Sequence, residues 1–336
     1  MDDVDLTMRP STRAATAAGP GTGGGGCLAP PGAARGDALF AALARGSGIA
    51  LLFVMAAITA FLLLKAIPAI AVDHADFLTG REWDPDAAPA RFGIAALAFG
   101  SVLTSVLALL MGVPVAVGVA LFTSHYAPRR LARPLGYTVD LLAAVPSVVF
   151  GLWGLVFLVP ATGPLSGWLA RYLGFIPLFA ADGVFGKSVF VASVVLAVMV
   201  LPIVAAISRE VFAQTPVDQV EAAWALGATK WEVVRLAVLP HGRSGVISAV
   251  VLGFGRAVGE TIAVALVLSA NYQISWRILV PGGNTIAANI ANRYGEAGEV
   301  GRGALVASGL VLFGITLLVN FAARAIGRRS RPAVTR

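Results

Sequence analysis

Residues 244–270 read SGVISAVVLGFGRAVGETIAVALVLSA, an apolar stretch that carries two charges in its interior, Arg256 and Glu260. A transmembrane helix needs about 20 apolar residues, because each adds about 1.5 Å to a hydrocarbon core of about 30 Å. An isolated Arg at mid-bilayer costs at least about 2.5–3.5 kcal/mol on insertion scales. Arg256 and Glu260 are four residues apart, hence on one helical face, and each can offset the other's charge. A structural ion pair would account for that much. Intramembrane ionisable groups, however, generally face a cavity or a transport path. A guanidinium is also permanently charged and can grip an oxyanion through two parallel hydrogen bonds. The functional reading is therefore a pathway for an anion, with Glu260 holding Arg256 in place while the path is empty.

Composition sets the same frame for the whole chain. The 336 residues are 57% hydrophobic and 13% charged, which indicates an integral membrane protein. A formal charge of +7 does not indicate nucleic acid, because the basic residues are dispersed among apolar runs. Cys27 is the only cysteine, so no intrachain disulfide forms. His74, His125 and His241 have no metal-ligand spacing, and no catalytic set, metal or cofactor is indicated. Residues 1–40, with Gly23–Gly26, read as a flexible tail, and no Gly-Lys-Ser/Thr follows to make the glycines a phosphate loop.

Six stretches are long and apolar enough to span: 48–64 (extended to 70, with Lys65 snorkelling), 92–122, 135–159, 186–207, 244–270 and 303–325. Pro114, Pro146 and Pro202 fall in the second, third and fourth, and Pro114 is expected to bend the second. Sixteen of the 25 Lys and Arg residues fall on one side of this arrangement and eight on the other, with Arg256 inside a span. The positive-inside rule makes both termini and the 208–243 loop cytoplasmic. The outer segments are 71–91, 161–185 and 271–302, with Trp83, Trp168 and Trp276 as interfacial anchors. Small residues within the spans let helices approach closely, and Gly253, Gly255 and Gly259 also leave room around the two charges.

The 208–243 loop reads as two short helices at an angle. Thr215-Pro216 can start the first and Asp218 supports its first turn. Gly227 breaks it, Thr229 caps the second, and Trp231, Val234, Leu236 and Val238 give that one an apolar face ending at Leu239-Pro240. Periodicity alone leaves open whether this pair packs on its own bundle or receives a partner.

Glu221-Ala222-Ala223, then Gly227, then Leu239-Pro240, resembles the coupling loop of the permease subunits of ATP-binding-cassette importers. The run 255–261, GRAVGET, is similar to a motif of phosphate-importer permeases, and 146–155, PSVVFGLWGL, to the third-span sequence of their PstC branch. The resemblance covers about residues 45–328. It implies an all-α polytopic membrane protein with six transmembrane helices and the MetI-like type I permease fold. The permease domain would then occupy 41–328, with the coupling loop at 208–243 and a cytoplasmic tail at 329–336. It also implies Glu221, Ala222 and Gly227 as ATPase-coupling residues and Arg256 and Glu260 as substrate-path residues. The implied partners are a PstA-like permease subunit, a PstB-like ATPase dimer that alone hydrolyses ATP, and an extracytoplasmic phosphate-binding protein, all at a bacterial cytoplasmic membrane. A permease for sulfate or molybdate, an ion-coupled secondary transporter and a structural membrane scaffold are the competing readings. None of them involves nucleic acid.

Overall fold

The computed structural model of the protein describes residues 31–73 and 76–329. The expected glycine-rich tail, with Cys27, lies outside the described residues up to position 30, and so do His74 and the last seven residues. The chain divides into two compact units at Ala56/Ala57, within helix α1 (Pro31–Val72). Residues 31–40, expected in the tail, are helical. In the first unit the helix exposes Phe40, Leu52 and Phe53, as a lipid-facing span does.

The second unit continues from Ala57. A hairpin of β1 (Trp83–Asp84) and β2 (Arg91–Phe92) precedes α2 (Ala95–Leu121) and α3 (Arg129–Ala144). Then come α4 (Ser147–Trp153), α5 (Val159–Ala161), α6 (Gly163–Leu173) and α7 (Val189–Ala213). The remainder is α8 (Val217–Ala225), α9 (Lys230–Val233), α10 (Leu239–Gly259), α11 (Ile262–Val267), α12 (Ile286–Arg293) and α13 (Glu299–Arg329). Among the described residues, five helical stretches are long and apolar enough to cross a membrane: 36–72, 95–126, 189–213, 230–259 and 299–325. A bent pair, 130–144 with 147–161, makes a sixth where the two segments act as one broken span.

Helix α7 is the centre. It is apolar on all sides up to Ile207 and packs on α2 and α10, and Val191, Val195, Val200 and Val204 along it are fully buried. In lipid, helices associate through close packing, so small residues line these contacts. A Cβ at Gly112 would lie 3.0 Å from the Ala197 carbonyl oxygen, and one at Gly253 would lie 2.7 Å from Val200 Cγ1.

Proline placement explains a second feature. Three π-turns, 122–126, 154–158 and 234–238, each end two residues before a proline: Pro128, Pro160 and Pro240. A proline ring clashes with the carbonyl four residues back and offers it no donor. At Pro160 and Pro240, widening the preceding turn relieves both problems and the helix continues, whereas at Pro128 the chain has already turned extended at Ala127. The residue before each proline donates five back: Ala127 to Phe122, Val159 to Gly154, Leu239 to Val234. Leu239-Pro240 therefore does not end the second loop helix. Residues 230–259 run on as one helix.

Two expected spans are broken. Residues 135–159 do not form one straight helix, because Val145, ahead of Pro146, is extended (φ −66°, ψ 129°) and the helix turns through 91° there. A second segment starts at Ser147, and its helical bonding continues through Thr162, whose N–H donates to Leu158 and whose carbonyl accepts from Ser166. Residues 244–270 are also broken: α10 stops at Gly259, and the six-residue α11 precedes a non-helical run. Trp83 is likewise no simple interfacial anchor, since it stacks on Tyr272 and meets Phe92 edge-on. Trp168 and Trp276 are exposed.

The packing at Gly253 gives the first test. Gly253→Leu should lower the thermal unfolding midpoint in detergent by several degrees, consistent with an overpacking cost of about 1–3 kcal/mol. Gly118→Ala, which meets nothing within 4 Å, should leave it unchanged.

Candidate functional site

Arg256 lies in the last turn of α10, and its depth follows from its neighbours. Gly253, one turn earlier, packs against Val200 and Val204 of α7 and Leu109 of α2, near the middle of both helices. Arg256 is therefore far from either end of the bundle. Its side chain is exposed, and Cβ atoms at Gly255 or Gly259 would meet nothing within 4 Å. The expectation of room around the charge holds at these two glycines, whereas Gly253 serves packing.

Glu260 does not complete an ion pair on a continuous helix face. It is the C-cap of α10, extended at φ −67° and ψ 127°, and no ion pair joins it to Arg256 among the described residues. Its Oε1 instead accepts the Ala263 N–H at 3.3 Å, and Thr261 Oγ1 donates to the Gly259 carbonyl at 3.1 Å. The carboxylate thus serves the N-terminus of α11, where a negative charge is favourable. This correction leaves Arg256 without an ion-pair partner among the described residues.

Helices α4 and α11 flank the break. Gly151 abuts Ala263 and Leu266, and Gly154 abuts Val267, so the two segments run side by side with numbering rising together. The start of α4, just past the Pro146 bend, and the start of α11, at Glu260, therefore lie at similar levels.

The other sequence-derived residues sit at the far end of the same helix. In α8, which starts after Pro216 with Asp218 in its first turn, Glu221 and Ala222 are exposed. Gly227 adopts φ +79°, a conformation that costs other residues about 1–2 kcal/mol. Thr229 forms a capping box with Glu232: the Thr229 N–H donates to Glu232 Oε2 at 2.7 Å, and the Glu232 N–H donates to Thr229 Oγ1 at 3.4 Å. Helix α8 buries none of its residues, and Val217, Trp224, Leu226 and Trp231 leave apolar surface open around it. The uninterrupted helix 230–259 separates this loop from Arg256 by roughly 40 Å at about 1.5 Å per residue.

A polar network was not anticipated. At the opposite end of the bundle, the α12 N-terminus tucks in against α2. The Asn284 carbonyl rests on Gly100, and the Ile286 N–H donates to Ser101 Oγ at 2.9 Å. Asn289 Oδ1 accepts from Tyr272 Oη and Asn284 Nδ2. Thr285 caps α12 by accepting the Ala288 N–H, and a Thr ahead of Ile286-Ala287-Ala288 is a readable start signal. Asp86 of the hairpin loop accepts the Gly298 and Gly301 N–H groups at the start of α13, a pairing across more than 200 positions that no local pattern shows.

Comparison with known proteins is decisive. Residues 102–332 match the family described as binding-protein-dependent transport system inner membrane component. The chain belongs to that family. It is 49% identical over 299 residues to "Phosphate transport system permease protein PstC 2" of Mycobacterium tuberculosis, covering 88% of this chain and 92% of the relative. It is 39% identical over 295 residues to "Phosphate transport system permease protein PstC" of Xylella fastidiosa, covering 87% and 90%. Within the binding-protein-dependent permeases it therefore falls in the PstC group, as a multi-pass protein of the bacterial inner membrane and not an enzyme. A solved bacterial ABC transporter "involved in the import of the acidic polysaccharide alginate" shares the fold at TM-score 0.51 and 16% identity, covering 72% of this chain and 79% of that one.

The capping box gives a local test. Thr229→Ala should cost about 1 kcal/mol, and hydrogen exchange at the amides of α9 should accelerate roughly fivefold. Unchanged exchange would mean that the box does not hold the loop.

Proposed function

We propose that this chain is the PstC-type permease subunit of an ATP-driven importer of inorganic phosphate. The observation that carries the proposal is an exposed guanidinium at mid-depth beside a broken helix, with no ion pair among the described residues. A monomer in lipid would not tolerate that surface, since both the charge and the free backbone groups need polar surroundings. A second permease subunit, PstA-like, would cover this face and close a path between the two halves. Arg256 would hold phosphate by charge-assisted hydrogen bonds while it passes. Glu260 would keep the break in shape and place a negative charge beside the path, which favours release over trapping.

The chain is oriented, in this reading, with both termini and α8 in the cytoplasm, as the basic residues indicate. A PstB-like ATPase dimer would receive α8 through Glu221, Ala222 and the apolar surface at Trp224 and Leu226. Gly227 would supply the turn that lets α8 stand away from helix 230–259. That helix would then carry movement of the ATPase to the break at Glu260, as one rigid body. An extracytoplasmic phosphate-binding protein would deliver phosphate to the opposite end.

Uptake by the complete transporter, normalised to inserted protein, tests the site. A hydrogen bond to a charged group contributes about 1.5–3 kcal/mol, so Arg256→Ala should reduce phosphate uptake at least about tenfold. Arg256→Lys should recover only part of that loss, because a point charge lacks the bidentate fork. Glu260→Gln should retain the α11 cap yet alter uptake. Near-normal uptake in the Ala and Gln variants would leave Arg256 and Glu260 as structural residues only. Gly227→Val should uncouple ATP hydrolysis from transport while leaving insertion intact, and unchanged coupling would remove Gly227 from the docking loop.

A further inference from the structure

We infer that α3 is an in-plane membrane-surface helix whose Arg130 and Arg133 bind the phosphate groups of anionic phospholipids. The helix is tied side-on to the bundle. Val139 and Leu142 pack on the core around α7, and the Arg209 guanidinium lies over Gly136 and pairs with Asp140 at 3.3 Å. Relative to that contact face, helical geometry divides the remaining residues into two opposed flanks. Arg133 and Asp140 lie along one of them. Leu131, Leu135 and Thr138 lie along the other, and Leu131 and Leu135 remain exposed. Arg130 and Tyr137 point away from the bundle, between the flanks.

The 91° turn at Val145-Pro146 fixes what those flanks face. If the segment from Ser147 crosses the bilayer, α3 lies along its surface, with one flank toward the acyl chains and the other toward water. Arg209 stands one turn before the end of α7, which places α3 at interface depth on the end of the bundle that carries α8. Neither Arg130 nor Arg133 makes an ion pair among the described residues. Both cations are thus free for an anion at headgroup level, while Leu131 and Leu135 are placed for acyl chains. A leaflet with anionic lipid supplies that combination of chemistry. The inference depends on the membrane crossing and not on the identity of the transported ion.

The complete transporter in vesicles provides the test, with nitroxide labels at Leu131, Leu135 or Arg133 in a Cys27→Ser background. Oxygen should broaden the labels at Leu131 and Leu135 more than a water-soluble nickel chelate does, and the order should reverse at Arg133. Native mass spectrometry should show retained phosphatidylglycerol falling roughly fivefold for each of Arg130→Gln and Arg133→Gln, and unchanged for Arg171→Gln on α6. Equal nickel access on both flanks would overturn the inference. So would lipid retention that ignores both substitutions, or protection of Leu131 and Leu135 that appears only when the ATPase is present, which would mark a protein-docking face.

Discussion

In hydrocarbon every backbone N–H and C=O needs a partner, and this constraint governs the second unit. Most of its length meets it with helices whose π-turns absorb proline without leaving carbonyls stranded. Around Glu260 the helix stops at the depth where stopping is most costly. Three local hydrogen bonds, donated by Glu260, Ala263 and Thr261, repair part of the break, and Gly255 and Gly259 leave the space beside it open. Irregular backbone at membrane depth persists where protein covers it or water reaches it, and the proposed partner subunit and path would meet that need.

Two distant features become one device through that constraint. The capped start at Thr229 and the break at Glu260 are the two ends of a single helix. In the proposed coupling, motion imposed on α8 would not need a chain of side-chain contacts to reach Arg256. It would have one helix to travel along, and the π-turn at 234–238 lets that helix continue past Pro240.

Much of this was legible in residues. The apolar runs marked the crossings, and Pro216, Asp218, Gly227 and Thr229 marked the loop helices because turn and cap chemistry is local. Arg256 stood out because a charge in an apolar run has few bland explanations. The roles of Glu260 and of residues 135–144 were not legible. Spacing of four residues suggests an ion pair only while the helix continues, and nothing local to Gly259 announces that it ends there. Likewise Leu135 and Leu141 look like span residues until the turn at Pro146 lays them along the surface. The Asp86 and Asn289 contacts depend on positions brought together by packing, which no window of sequence contains.

The most direct measurement is the accessibility of position 256 in the assembled transporter. Arg256→Cys in the Cys27→Ser background would be treated in vesicles with a charged, membrane-impermeant thiol reagent, with and without phosphate and ATP. If a polar path passes Arg256, the thiol reacts from at least one side, the rate changes with ATP, and phosphate slows it. A thiol that only lipid-soluble reagents reach, in every state, would place Arg256 against lipid and contradict the account.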